Sequence, residues 1–133
     1  MEVREYTRIN MEEILPLYAA VGWTNYTDRP DMLQAAYENS RLILAAREDE
    51  QLVGILRAVG DGASIMFIQD ILVLPTHQRR GIGTALMREA LSRLKDVYQV
   101  ELMTDDSEET KAFYESVGLK NATDMGCLAF VRM

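Results

Sequence analysis

The spacing of hydrophobic positions changes several times along this chain, and each change marks an element. Ile82, Leu86, Ala90 and Leu94 recur every four residues, with Met87 and Leu91 beside them, and predict an amphipathic helix over residues 81–95. Just upstream, Met66-Phe67-Ile68-Gln69-Asp70-Ile71-Leu72-Val73-Leu74-Pro75 is apolar, rich in β-branched residues and closed by proline; it predicts a largely buried strand over 64–74. Leu42–Ala46 and Leu52–Val59, joined across Glu48-Asp49-Glu50, read as a hairpin, and Gly60-Asp61-Gly62 turns the chain into the long strand. Residues 2–8 predict a short first strand. Asn10, three residues before Glu13, has the spacing of a capping box and opens a helix to about Val21, with Pro16 awkward inside it and Gly22 at its end. Trp23 to Asp28 read as a loop, and Pro30 opens a second helix to about Asn39. Val97 to Met103 predict a strand, the acidic residues at 105–109 open a helix that stops at Gly118, and Leu128 to Met133 predict a closing strand. The order β-α-α-β-β-β-α-β-α-β is an α/β fold: a mixed central sheet with about four helices. The strand after helix 81–95 should run parallel to the long strand, because a helix links the two.

Composition narrows the class. A chain of 133 residues with 48% hydrophobic residues suggests one domain, residues 1–133, with one core. No apolar run approaches the length of a membrane span, and Met1-Glu2-Val3-Arg4-Glu5 lacks the apolar core of a secretory signal. A single cysteine excludes an intrachain disulfide framework and fits a cytoplasmic location; Cys127 reads as a buried strand residue. One His, His77, and one Cys do not make a metal site, and His77 reads as a surface loop residue. The net charge of −7 argues against nucleic acid as a partner and suits a cationic substrate such as an amine.

Chemistry concentrates at Gln78-Arg79-Arg80-Gly81-Ile82-Gly83, between the long strand and the helix. Two glycines leave backbone N–H groups unobstructed at a helix N-terminus, where donors are unpaired and the macrodipole is positive; two arginines add formal charge. The junction is suited to phosphate. A nucleotide-triphosphate loop would need Lys and Ser/Thr after its last glycine, where Thr84-Ala85 stand; a dinucleotide fingerprint would need a third glycine, where Leu86 stands. A strand–turn–helix with glycines serving packing alone is the plain alternative. Val73-Leu74-Pro75-x-x-Gln78-Arg79-Arg80-Gly81-Ile82-Gly83-Thr84-Ala85-Leu86 resembles the signature of the GNAT superfamily of acyl-CoA N-acyltransferases. Ala112-Phe113-Tyr114-Glu115-x-x-Gly118-Leu119 is similar to that family's later helix with its Phe-Tyr pair. The resemblance covers roughly residues 40–133 well and the first 40 loosely.

The resemblance implies the GNAT fold, acetyl-CoA as cosubstrate without a metal, and attack by an amine on the thioester. It implies pyrophosphate on the backbone N–H groups of Arg79, Gly81, Ile82, Gly83 and Thr84, with Gln78 and Arg80 completing the loop. The pantetheine arm is implied to pair with the backbone of Ile71, Leu72 and Val73. Tyr114 matches the family's proton donor to the leaving thiolate; a helix residue packing on the sheet is its plain alternative. Asp70 is a carboxylate in an apolar strand, costly to bury unpaired, and is the candidate base, direct or through water; a structural salt bridge is the alternative. Asp105 and Asp106 are runners-up. Strand alternation puts Asp70 and Ile68 on one face, Gln69 and Ile71 on the other. Acceptor selectivity is implied to reside in the early helices, where Trp23 and Tyr26 are candidate substrate contacts beside Tyr37; Arg57 and Asp61 are further residues for the cleft. The implied partner is a small-molecule amine, or a protein lysine or N-terminus. A homodimer is common among such proteins, with Cys127 to Met133 as an edge strand. A non-catalytic acyl-CoA-sensing module is the alternative function.

Overall fold

The computed structural model describes all 133 residues and contains two compact units, residues 1–103 and residues 104–133. The first holds a five-stranded mixed sheet, β1 (Glu2–Glu5), β2 (Leu42–Glu48), β3 (Gln51–Gly60), β4 (Ile65–Val73) and β5 (Gln99–Leu102), in the spatial order of the chain. Neighbours pair antiparallel except β4 and β5, which are parallel across helix α4 (Ile82–Arg93). Helices α1 (Met11–Ala20), α2 (Thr24–Thr27) and α3 (Pro30–Glu38) connect β1 to β2. The segment expected as a loop at Trp23–Asp28 thus contains one helical turn.

Both sheet faces are covered, which is why the central strands read as nearly continuous apolar runs. On one face Ile43, Ala45, Ile55 and Leu72 pack with Ile14, Leu17, Tyr18, Leu33 and Tyr37 of α1 and α3. On the other lies α4, whose buried stripe is Ile82, Leu86, Met87 and Ala90. Gly54 of β3 permits this approach: a Cβ there would stand 3.2 Å from the Ile82 and Leu86 side chains and from the Leu72 carbonyl. Helix α1 begins at Asn10, whose side chain accepts from the Glu12 N–H at 3.1 Å. The capping box is not closed as the sequence suggests. Glu13 turns to Arg47, while the Asn10 N–H donates to the Tyr6 hydroxyl, which itself donates to Glu13 Oε2 at 2.7 Å. Pro16 sits inside α1 without ending it.

The antiparallel register of β3 on β4 runs Gly54↔Val73 to Arg57↔Asp70, then slips to Ala58↔Ile68, leaving Gln69 as the extra residue of a β-bulge. Directly opposed residues share a face and neighbours along β3 do not. Asp70, opposite Arg57, therefore faces α1 and α3, whereas Ile68, opposite Ala58, faces α4. The expectation from simple alternation that Ile68 and Asp70 share a face is overturned by this one inserted residue.

The second unit contains α5 (Glu108–Ser116) and a 3-10 turn at Ala122–Met125. Ser107 caps α5 by accepting from the Thr110 N–H at 3.2 Å, and Gly118 follows with φ of 97°. The closing strand expected at Leu128–Met133 is absent, so the sheet has five strands. Those residues and Cys127 are exposed; Cys127 is not the buried strand residue its apolar neighbours suggested, because no sixth strand forms to bury it.

Candidate functional site

The strand–loop–helix junction is built for close backbone approach. After β4 a 3-10 turn spans Pro75–His77, Gln78 is extended, and Arg79 and Gly81 are left-handed, with φ of 63° and 82°. Alternating handedness turns successive N–H groups toward a common point, the geometry of an anion nest. A left-handed arginine costs about 1–3 kcal/mol, strain of the kind that collects at ligand loops. Gly81 is the N-cap of α4, contributes no capping side chain and has open space around it, so the first-turn N–H groups of Ile82, Gly83 and Thr84 lack a side-chain acceptor. The two arginines differ. Arg79 is exposed and makes no ion pair, whereas Arg80 pairs with Glu48 at 2.8 Å, and His77 Nε2 approaches the same carboxylate at 3.4 Å. The Gln78 side chain turns back and donates to the Val73 carbonyl at 3.3 Å.

Beside this loop the sheet opens. Strand β5 pairs with β4 only from Ile65 to Ile68, so the outer edge of β4 beyond Ile68 has no strand neighbour. The Leu74 N–H bonds to the Val53 carbonyl at 2.8 Å, which fixes the sense of the antiparallel ladder. Residues 70, 72 and 74 direct their backbone groups at β3, and Ile71 and Val73 direct theirs into the opening. Leu72, expected to offer its backbone with Ile71 and Val73, is turned the other way.

On the α1/α3 face, Asp70 is the centre of a buried polar network. Arg57 and Asp70 are 4% and 3% exposed and meet through Nε and Nη2 at 2.9 and 2.8 Å, both to Oδ2. Tyr18 also donates to Oδ2 at 2.8 Å, and its hydroxyl lies 2.8 Å from that of Tyr37. The remaining oxygen, Oδ1, accepts from Tyr26 at 3.3 Å; Gln69, the bulge residue, reaches the Tyr26 hydroxyl at 3.5 Å. Every buried side-chain polar atom has a partner. Burial raises the Tyr18 hydroxyl far above its ordinary range, and Tyr37 and Asp70 add to this; burial likewise raises Tyr37. Burial opposes the Arg57 charge, but Asp70 outweighs it and holds the guanidinium above its usual value. Tyr18 is ringed edge-on by Tyr26, Trp23 and Tyr37, with centroids 5.2, 5.9 and 6.2 Å away. Trp23 and Tyr26 are half-buried, one side on this core and the other toward solvent.

In the C-terminal unit, Tyr114 of α5 packs edge-on against Phe113 at 4.9 Å. Burial raises its hydroxyl above the ordinary value, a hydrogen bond with Thr104 opposes this, and Asp105 adds to it. Asp106 is paired with Lys111 at 2.8 Å.

The Acetyltransferase (GNAT) family profile matches residues 8–119. The chain belongs to the GNAT acetyltransferase family. A GNAT family acetyltransferase of Streptococcus pneumoniae has a similar solved structure, with a TM-score of 0.91 and 39% identity over 99% of this chain and 96% of that one. A GNAT family acetyltransferase of Brucella melitensis, solved in complex with acetyl-CoA, aligns with a TM-score of 0.69 and 25% identity over 91% of this chain and 83% of that one. Among curated proteins, a ycf52-like N-acetyltransferase of Prochlorococcus marinus is 30% identical over 88% of this chain, and a histone acetyltransferase of Glycine max 28% identical over 84%. The chain spans 64% and 52% of those two proteins' lengths.

Within this GNAT chain, the structure brings together Arg79, Gly81, Ile82, Gly83 and Thr84 at one loop, and Asp70, Tyr26 and Trp23 at one network. It withdraws Leu72 from the open edge and commits Gln78 and Arg80 to internal partners. Asp61 is engaged locally: the Ser64 hydroxyl donates to its Oδ2, and with the N–H groups of Ala63, Ser64 and Ile65 on Oδ1 this holds the carboxyl well below its usual range. Sequence reasoning missed Tyr18, Gln69 and the part played by Tyr37. The available signal was Arg57, a second charge inside an apolar strand, which asks for a buried counter-charge and hydroxyls to share it. No helix is long and apolar enough to cross a membrane.

Proposed function

We propose that this chain is an N-acetyltransferase that moves an acetyl group from acetyl-CoA to a small-molecule primary amine. The observation that carries the reading is the unpartnered donor set at the start of α4 beside the opened edge of β4. The N–H groups of Ile82, Gly83 and Thr84, with those of the left-handed Arg79 and Gly81, fit a pyrophosphate, and the exposed Arg79 supplies charge. The outward backbone groups of Ile71 and the outward N–H of Val73, whose carbonyl already accepts from Gln78, fit the amides of a pantetheine arm. Gln78 and Arg80 support the loop, and Leu72 packs the core beneath it.

In the transfer itself the amine nitrogen attacks the thioester carbonyl, the new C–N bond forms, the C–S bond breaks, and the nitrogen loses a proton. Tyr114 is the donor to the departing thiolate: its raised hydroxyl stays protonated at neutral pH, as that role needs. Asp70 receives the amine proton through the Tyr26 hydroxyl, because three donors occupy Oδ2 and only Oδ1 faces the half-exposed tyrosine. Trp23 and Tyr26 line the acceptor side, where aromatic faces and an acidic protein of net charge −7 favour a cation. Residues 1–133 are read as one domain, a reading supported by the family match, which covers residues 8–119 and so extends from the first unit into the second. A protein lysine is the second reading, favoured by the histone acetyltransferase relative from Glycine max.

The test is calorimetric titration with acetyl-CoA, followed by turnover on an amine panel and on lysine peptides. One-to-one binding, lost in Gly83→Trp, is the expected result. Tyr114→Phe should lower turnover about 100-fold with binding retained, the size of a lost general acid. Binding without turnover on any acceptor, indifferent to Tyr114→Phe, would make the chain an acyl-CoA sensor; no binding would refute both.

A further inference from the structure

Strand β4 carries two polar side chains, Gln69 and Asp70, and the transfer draws only on the second. Gln69 is nevertheless singular in its placement. It is the one exposed residue of the strand, the extra residue of the bulge, and the first position of β4 beyond the last β5 pair at Ile68 and Leu102. Bulges re-aim side chains, and this one sends the side chains of both Gln69 and Asp70 to the same hydroxyl, that of Tyr26. The Gln69 carboxamide makes a single polar contact: Nε2 donates to the Tyr26 hydroxyl at 3.5 Å, and Oε1 has no partner in the chain.

The sense of that contact follows from the rest of the network. Tyr26 donates its one hydrogen to Oδ1 of Asp70, the carboxylate that pairs with Arg57, so its oxygen can only accept elsewhere. Gln69 therefore turns its NH2 to Tyr26 and keeps its carbonyl oxygen free. Asp70 itself is 3% exposed, and Arg57 and Tyr18 occupy its Oδ2. Two uncharged acceptors are thus left side by side, the Tyr26 oxygen and Gln69 Oε1. A neutral primary amine has two N–H groups and one lone pair. Two acceptors hold the two N–H groups and leave the lone pair for the thioester carbonyl.

We propose that Gln69 recognises the acceptor amine: its NH2 holds the Tyr26 oxygen in place, and its carbonyl oxygen accepts one N–H of the amine while the Tyr26 oxygen accepts the other. The inference rests on the acetyl-transfer reading and gives that site a selectivity. Primary amines are preferred to secondary ones, because an N-alkyl group removes one of the two N–H groups. An uncharged acceptor also suits the chemistry. An amine of pKa about 10 must lose a proton before it attacks. A carboxylate at position 69 would favour the charged ammonium, whereas an amide oxygen binds an N–H without that bias.

The test is steady-state acetylation by the full chain of two matched probe pairs, butylamine with N-methylbutylamine and 2-phenylethylamine with its N-methyl derivative. Wild type should prefer the primary member of a pair. Gln69→Leu keeps the side chain's bulk and removes both polar ends; that preference, as a ratio of kcat/KM values, should fall about tenfold, the worth of one hydrogen bond. Thermal unfolding and acetyl-CoA affinity should stay as in wild type, because the side chain is exposed and lies off the anion loop. Gln69→Glu should lower KM and kcat together, holding the amine more tightly in its unreactive charged form, a split that a merely structural role would not produce. Equal use of primary and secondary amines by wild type, a preference that survives Gln69→Leu, or a Gln69→Glu variant with kcat undiminished each overturns the inference and leaves acetyl transfer standing. A wild type that binds acetyl-CoA but turns over neither pair overturns it together with the small-amine reading.

Discussion

Replacing Asp70 with asparagine keeps the side chain's shape and removes its charge. Arg57, 4% exposed, is then a buried cation whose only ion-pair partner is gone, while Tyr18 retains the Tyr37 hydroxyl 2.8 Å away. Breaking a buried pair from one side costs about 3–5 kcal/mol, and in a chain of this size that lowers Tm by roughly 10–20 °C. Arg57→Met should cost a similar amount by leaving the carboxylate unpaired. The two changes together should cost far less than their sum, with a coupling of at least about 2 kcal/mol, because no uncompensated charge remains. Urea unfolding followed by fluorescence measures this directly: Trp23 is the sole tryptophan and its ring lies 5.9 Å from that of Tyr18, inside the same network. Turnover measured beside it separates two roles. Tyr26→Phe leaves the Arg57–Asp70 pair and the Tyr18 bond intact, so it should spare stability within about 1 kcal/mol while slowing transfer. If Asp70→Asn shifts stability by less than about 1 kcal/mol, or the effects of Asp70→Asn and Arg57→Met simply add, the argument that this carboxylate exists first to neutralise Arg57 is refuted.

Gly54→Leu forces side-chain atoms into Ile82 and Leu86, which a Cβ alone would already meet at 3.2 Å; stability should fall by about 1–3 kcal/mol, and acetyl-CoA binding should weaken as the start of α4 shifts, both read by denaturation and calorimetry. Glu48→Gln releases Arg80 from an exposed pair, so stability should change by under about 1 kcal/mol while acetyl-CoA affinity rises roughly 2–5-fold at low salt; an unchanged affinity would mean that Arg80 serves only the hairpin. Glu13 is held below the usual carboxylate range, chiefly by hydrogen bonds from Arg47. Its folded value is the depressed one, so its contribution is fully present above the ordinary value of 4.5 and lost as pH falls through the folded value. Glu13→Gln should flatten that part of the acid-unfolding profile, which urea midpoints across pH would record.

Local patterns were enough to place most elements. A four-residue stripe gives α4, a β-branched run closed by proline gives β4, and the two glycines between them give the loop, because each depends on neighbours in sequence. The same local chemistry marked the anion site: unpaired N–H groups at a helix start need no distant residue to exist. What failed at this level is equally specific. The bulge at Gln69 turns Asp70 away from Ile68 and toward α1, a rotation set by the register of β3 on β4, which no periodicity reports. Whether Ile71 or Leu72 offers its backbone to the opening depends on which residue bonds to Val53, a contact across strands. The buried carboxylate in β4 was legible as an anomaly, but its company was not: Arg57, Tyr18, Tyr37 and Tyr26 come from four separate elements and meet only because the sheet face and three helices fold over one another. The tail was misread for a related reason. Its composition specifies a strand, but a strand is completed by a neighbour, and composition does not supply one.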